Sequence, residues 1–401
     1  MLKRSIQHGR RWAAGLALAL LSFPAMSKSD RTDVYTGEVG HQRVVMRIQT
    51  DSAGSVDGSY FYAAYHRDLR LEGESQGHHL QLAEGPRDTT GRPQFELDRT
   101  ADGGWSGVWK DAKGRALDVR LRVADTPPLG QSTDAYVQSL RGADLYEYLR
   151  LSDLHLRPAR QGRFMNHRLQ WWVEPESKIT LFEIIDGYPD DVRKRINQLL
   201  RARLWSEVSA FHGCMLGADR FGSGEFSQTV TPRSLTPNVV SVSVFTSYDC
   251  GGAHPDFGDA PLNLDARTGH VLTLEDVLWV GKGAPFGRQN RADGTAVESG
   301  SDAPSGVDFS VFSTYRDRDF APWLTKRLTA LYPSHIQEED GCDYSDAYVW
   351  KYPSWYFTSR GIEFSPSFAR AARACEANAE GFVIPYAEIR RHPGRLTLML
   401  P

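Results

Sequence analysis

The stretch Tyr248–Trp279 reads YDCGGAHPDFGDAPLNLDARTGHVLTLEDVLW and carries the local signals that predict the fold of the second half of the chain. It continues the segment 237–250, PNVVSVSVFTSYDC, whose alternating valines indicate a half-buried β-strand. Gly251–Pro255 predicts a loop, because paired glycines allow backbone angles that other residues avoid and the proline keeps His254 extended. The exposed loop is expected to extend over Gly251–Asp259, before a second strand over Ala260–Ala266.

The end of this stretch predicts a turn followed by a helix. Arg267-Thr268-Gly269 is typical of a turn, and Thr273 followed three residues later by Asp276 is typical of a helix N-terminus. This order of elements resembles the RsiV-like domain, a domain of unknown function named from the extracellular part of lysozyme-sensing anti-sigma factors. A related domain accompanies some peptidoglycan deacetylases.

A second block of sequence fits the same family pattern. It consists of WYFTSRGIEF at 355–364 and VIPY at 383–386, so the resemblance covers residues 177–391. The resemblance implies an α+β fold. It says less about activity, because one fold hosts many functions.

The N-terminus predicts export from the cytoplasm. A basic start is followed by the apolar run Trp12–Phe23 and by small residues at 25–27, so we expect a signal peptide at 1–27 and a mature N-terminus at Lys28. No later segment is apolar enough to span a membrane, which departs from the membrane-anchored anti-sigma factors. Cleavage removes four positive charges and takes the formal net charge from −3 to −7, which disfavours nucleic acid and anionic membranes as partners.

The 401 residues divide into two predicted domains. Residues 31–125 alternate short apolar strands with glycine turns and predict an all-β meander, closed as a barrel or folded as a sandwich. Residues 126–165 are expected to connect this unit to an RsiV-like α+β domain at 166–401, with antiparallel sheet and two main helices. Apolar residues at helical spacing place those helices at Pro189–His212 and Asp319–Leu331.

Four cysteines lie in the second half: Cys214, Cys250, Cys342 and Cys375. In an oxidising compartment an even number predicts disulfides, and four cysteines allow three pairings. We favour Cys214–Cys250 and Cys342–Cys375, because each pair flanks one structural unit. Cys-x-x-Cys spacing is absent, so we expect no metal site of that type.

His254 is the titratable side chain that the pattern singles out, and the predicted binding residues are Gly251, Gly252, His254 and Asp256. Two interpretations of His254 stay open: a contact to a ligand or general base, and a ring that fixes the loop through a backbone carbonyl. The sequence contains no His-Glu-x-x-His, Walker or dinucleotide motif, and no nucleophile can be assigned. We therefore expect no cofactor and no metal.

The leading hypothesis is a periplasmic or secreted, non-enzymatic binding module at the cell envelope. The resemblance implies a cell-wall-active protein such as lysozyme, or peptidoglycan itself, as the partner. Two alternatives stay open: an envelope hydrolase using His254 with a nearby carboxylate, and a structural or assembly factor. The sequence leaves the oligomeric state open.

Overall fold

The computed structural model describes residues 31–87, 89–126, 134–221, 224–287, 307–337, 341–379 and 381–400. The predicted signal peptide lies outside these ranges. Within them, no helix is both long and apolar enough to cross a membrane. Helices and antiparallel sheets both occur, so the fold is mixed α+β as expected.

The first unit is a closed barrel of eight antiparallel strands. Each strand pairs with the next along the chain, and β1 also pairs with β8, where Tyr35 lies opposite Val123. Alternate residues point inward and fill the interior, as in other small barrels. The strands are β1 (Arg31–Val39), β2 (Gln42–Thr50), β3 (Ser55–Tyr62), β4 (Asp68–Gln76), β5 (His79–Glu84), β6 (Gln94–Arg99), β7 (Trp105–Lys110) and β8 (Ala116–Val123).

Two short helices and a three-stranded sheet follow the barrel. They are α1 (Ala135–Ala143), α2 (Leu145–Asp153), β9 (Arg157–Phe164), β10 (His167–Val173) and β11 (Thr180–Ile184), with sheet order β11-β10-β9. The boundary predicted at 165/166 falls in the turn of the β9–β10 hairpin, where Phe164 lies opposite His167. The end of the predicted connector therefore pairs with the start of the predicted second domain.

The helix predicted at Pro189–His212 begins as expected but ends later. Helix α3 runs over Asp190–Ala218, with Asp190 and Asp191 in its first turn. Cys214 therefore lies inside the helix and not beyond its end. One glycine in a helix interior costs only about 1 kcal/mol, and the buried residues Cys214 and Ala218 continue the packed face beyond Gly213.

The main sheet has the order β12-β13-β15-β16, with β14 paired to the outer part of β13. Its strands are β12 (Glu225–Leu235), β13 (Val239–Asp249), β14 (Asp256–Asp259), β15 (Leu262–Asp265) and β16 (His270–Val271). The predicted helix start is confirmed at α4 (Leu274–Val277), where Asp276 accepts hydrogen bonds from the backbone and side chain of Thr273.

The last part of the chain packs another three-stranded sheet, in the order β17-β18-β19, against a long helical segment. Helix α5 (Phe309–Tyr315) continues through a π-helical turn at 316–320 into α6 (Ala321–Leu331), and β17 (Ser354–Phe357), β18 (Gly361–Ser365), β19 (Phe382–Pro385) and α7 (Tyr386–Ile389) follow. The helix predicted at Asp319–Leu331 ends where expected but begins earlier, because Asp308 accepts a hydrogen bond from the backbone nitrogen of Ser310.

Candidate functional site

The predicted binding residues lie together at the turn between β13 and β14. Gly251, Gly252 and His254 are in the turn, and Asp256 is the first residue of β14. His254 and Gly252 are exposed, whereas Gly251 and Asp256 are half-buried. The structure therefore brings the four residues to one exposed surface, which we call the turn surface.

The prediction of a loop as far as Asp259 is wrong in its second half. Asp256–Asp259 forms β14, which runs antiparallel to the end of β13. The rings of Phe245 and Phe257 lie 5.7 Å apart across this pair. This ring contact adds to the hydrogen bonds between the two strands. Because β13 ends at Asp249 and β14 begins at Asp256, only residues 250–255 are left to form the turn.

Gly251 is required by close packing against the end of α3. Its φ of 77° lies in the left-handed region. A Cβ at this position would lie 2.6 Å from Cδ2 of Phe221 and 2.8 Å from the carbonyl oxygen of Gly217. Gly252 differs, because the nearest atom to its hypothetical Cβ is 3.8 Å away. The two glycines therefore have different roles.

One side of the turn is attached to α3 by a disulfide. Cys250 bonds to Cys214, and Cys342 bonds to Cys375, so both favoured pairings are confirmed. Gly217 also permits the approach of the turn, since a Cβ there would lie 2.8 Å from the carbonyl oxygen of Cys250. The base of the turn is therefore fixed to the helix by a covalent bond and by backbone packing.

The other side of the turn is held by two arginines of the segment 370–378. Nη2 of Arg370 donates to the carbonyl oxygen of His254 at 2.8 Å, and Nη2 of Arg373 donates to that of Phe257 at 2.6 Å. The same segment contains Cys375, so the second disulfide anchors it in turn. Both disulfides thus support one surface. The sequence offered a weak signal for this, the basic residues just before Cys375.

The ring of His254 forms no hydrogen bond or ion pair with any described residue. It is the backbone carbonyl of His254, not the ring, that takes part in holding the turn. One interpretation of His254 requires a hydrogen bond from its ring to a backbone carbonyl. That hydrogen bond is not formed among these residues. The imidazole faces solvent on a backbone that its neighbours hold.

The nearby carboxylates are already engaged. Asp256 forms an ion pair with Nε of Arg373 at 3.3 Å. Asp259 accepts hydrogen bonds from Oγ of Ser243 and the backbone nitrogen of Val244, and burial raises the pKa of its carboxyl group. No pairing of His254 with a carboxylate exists among the described residues. Among the described residues as a whole, no group of three His, Cys, Asp or Glu side chains could hold a metal ion.

Two large aromatic side chains that lie against Gly251 of the turn or Phe257 of β14 are also exposed. Phe221, which packs against Gly251, is 70% exposed, and Phe245, which packs against Phe257, is 39% exposed. Large apolar groups that stay exposed on a rigid scaffold are typical of protein-binding surfaces. The arrangement is suited to binding, and among the described residues no carboxylate pairs with the ring of His254.

Sequence reasoning missed another site, a concave one that lies between the barrel and α2. We call it the barrel groove and define it by Glu38, Arg43, Val45, Phe61, Arg120 and Arg122, with α2 as one wall. No sequence motif marks it, because its residues come from strands that only the barrel brings together.

Comparison with known proteins gives no relative from which to assign a function. No protein-family model matches the chain, and no curated protein matches it either.

Proposed function

We propose that this protein is a non-enzymatic binding module of the cell envelope, periplasmic or secreted, whose second part is an RsiV-like domain. Its partner would be a cell-wall-active protein such as lysozyme, or peptidoglycan itself, recognised by the turn surface. The two disulfides support an oxidising compartment, since such bonds persist there. The named partners rest on the resemblance of 177–391 to that domain family.

The observation that carries this proposal is the contrast between the backbone and the side chains of the turn. The backbone is fixed by Cys250 on one side and by Arg370 and Arg373 on the other. The side chains of His254 and Phe221 nevertheless remain exposed. A surface that is ordered before binding loses little conformational entropy on association, which favours affinity.

The hydrolase alternative has less support. Asp256 is paired with Arg373, and Asp259 is hydrogen-bonded to Ser243 and Val244. A general base needs a group to orient it and a nucleophile or water within reach. We therefore do not propose catalysis at this site.

The test is a binding assay on the oxidised, mature protein with immobilised lysozyme and, separately, with purified peptidoglycan. We expect one of the two to retain the protein. His254→Ala with Phe221→Ala should weaken that binding by at least about 30-fold, the effect of a hot spot worth about 2 kcal/mol. His41→Ala, at an exposed histidine of the barrel, is the matched control and should bind normally. The proposal would be contradicted if neither lysozyme nor peptidoglycan retained the protein. It would also be contradicted if the folded double variant bound as strongly as the parent protein.

A further inference from the structure

The barrel groove has the size of a ligand site. Its volume is ≈ 930 Å³, and small-molecule sites typically enclose roughly 300–1,000 Å³. Its floor is the outer wall of strands β1, β2, β7 and β8, and residues of α2 form one side. The groove belongs to the barrel, so it is a different surface from the turn surface.

The strand register places charges of alternating sign across the floor. Glu38 in β1 lies opposite Arg43 in β2 and opposite Arg120 in β8. Directly opposite residues project from the same face of a sheet. Tyr35 and Val39 point into the barrel core, so the alternation along β1 puts Glu38 on the outer face.

A second row of residues adds another cation and an apolar part. Thr36 lies opposite Arg122 in β8 and opposite Val45 in β2, and Val45 lies opposite Phe61 in β3. Val45 and Phe61 are buried with Leu149 of α2 packed against them. The groove is therefore charged at its β8 end and apolar beneath α2.

The arginines of the groove have no partners among the described residues. The side chains of Arg43, Arg120 and Arg122 are exposed and form no hydrogen bond or ion pair with a described residue, and the same holds for the side chain of Glu38.

Three other carboxylates line the groove: Asp102, Asp125 and Asp153. Asp102 accepts hydrogen bonds from Thr100 and from the backbone nitrogen of Gly104, Asp153 lies 3.1 Å from Nε2 of His66, and the exposed Asp125 has no partner among the described residues. None of the three pairs with an arginine of the groove, so both guanidinium groups for an anion and carboxylates for a cation are available to a ligand.

We propose that the barrel groove binds a short peptide that carries a free carboxylate and a free ammonium group. A guanidinium matches a carboxylate with two parallel hydrogen bonds, which Arg43 or Arg120 can donate. Glu38 between them accepts from the ammonium group and repels a ligand that is only anionic, such as a nucleic acid. An apolar side chain of the peptide packs at the edge of the apolar part, against the partly buried Leu149.

Such a peptide has two sources, the stem peptide of the cell wall and an ordinary peptide of L-residues. Isothermal titration on the mature oxidised protein distinguishes them with three probes: a soluble disaccharide-tetrapeptide from peptidoglycan, the same compound with its carboxylates amidated, and a free L-tetrapeptide. We expect at least one unmodified probe to bind, and the amidated compound to bind at least about tenfold more weakly than its parent, because the charge-assisted pairs are lost. No binding of either unmodified probe, or equal binding of the amidated one, would overturn the proposal.

Variants locate the site. Arg43→Gln and Arg120→Gln should each raise the dissociation constant about tenfold, and Glu38→Gln should weaken binding of probes with a free ammonium group. Arg115→Gln, at an exposed arginine in the turn before β8, is the control. All four positions are exposed, and the barrel fold of each variant is checked by circular dichroism. Normal affinity in folded Arg43→Gln/Arg120→Gln protein would exclude the groove.

The two proposals are tested separately, because retention on intact peptidoglycan is also measured with the turn-surface variant in the Arg43→Gln/Arg120→Gln background, where the groove no longer contributes. His254→Ala with Phe221→Ala changes the turn surface only, and the peptide affinity of the groove should stay within twofold of the parent protein. A matching loss of peptide affinity in that variant would assign the peptide to the turn surface and overturn the groove proposal.

Discussion

The guanidinium of Arg150 in α2 lies 2.7 Å from the carboxylate of Asp68 at the start of β4, and both side chains are almost fully buried. Tyr146 also donates its hydroxyl to Asp68. Arg150 lies 4.8 Å from the ring of Phe61 on the barrel wall. This ion pair joins the barrel to the helices that follow it, next to Phe61, which lines the barrel groove.

Breaking this pair should be costly. We expect Asp68→Ala to lower the free energy of unfolding by about 3–5 kcal/mol, because the buried guanidinium of Arg150 then keeps only its longer pair with Glu147, at 3.4 Å. Replacing both residues, with Asp68→Leu and Arg150→Met, should recover part of the loss, since Glu147 then loses its cation. Urea unfolding measures the difference. Asp57→Ala is the control, since the carboxylate of Asp57 is 63% exposed at 3.6 Å from Arg70, and pairs with a solvent-exposed carboxylate are worth about 0–1 kcal/mol. Equal effects at Asp57 and Asp68 would contradict this prediction.

A buried histidine should make the fold sensitive to acid. His212 of α3 is 2% exposed, and its Nε2 has no hydrogen-bond partner among the described residues. Burial, with the nearby charges of Arg150, His66 and Arg67, lowers the pKa of His212 to about 2. Unfolding restores a pKa of about 6.5. Between these values the unfolded state holds an extra proton, so stability falls as the pH falls below 6.5.

Removing this ring should flatten the pH dependence. For His212→Leu we expect the slope of unfolding free energy between pH 6 and pH 4 to decrease by up to about 1.4 kcal/mol per pH unit, one proton's contribution. Urea unfolding over a pH series measures it. The exposed His41, changed to Gln, is the control and should keep the parent slope. An unchanged slope in His212→Leu would show that the histidine is already protonated when folded.

The disulfide at the base of the turn should contribute to global stability. Its cysteines are 36 residues apart, a separation for which a disulfide stabilises by about 2–4 kcal/mol. We expect the double change Cys214→Ala/Cys250→Ala to lose that amount and to increase amide hydrogen exchange at residues 250–255. Cys342→Ala/Cys375→Ala should instead increase exchange in 370–378. Peptide mapping without reduction checks the pairing, and free thiols in freshly exported protein would contradict it.

The two glycines of the turn should respond differently to alanine. Gly251→Ala should lower stability by about 1–3 kcal/mol, because it forces a left-handed conformation on alanine and places a Cβ against α3. Gly252→Ala should change stability by less than about 0.5 kcal/mol, since its Cβ would make only an ordinary contact, 3.8 Å from the carbonyl oxygen of His254. Thermal unfolding of the two variants measures the contrast. Similar melting temperatures would mean that the turn does not pack on α3.

Local signals in the sequence predicted the elements whose causes are local. The capped start at Thr273, the acidic first turn of α3 at Asp190 and the strand from Val239 depend on residues within a few positions of each other. The same local signals do not predict where helices and strands begin or end when distant residues set the boundary. Helix α3 continues to Ala218 and strand β14 begins at Asp256, because packing against distant residues decides where these elements end.

The sequence by itself determined the alternation of buried and exposed residues, the helix starts and, through its even number of cysteines, a disulfide framework. Only the tertiary structure decided that β1 pairs with β8 to close a barrel, that Arg370 holds the carbonyl of His254, and that Arg43, Arg120 and Arg122 line one groove. Those relationships join residues from about 80 to 116 positions apart. These long-range contacts are stabilised by burial and by charge interactions between distant segments. No short window of sequence therefore contains the information that specifies them.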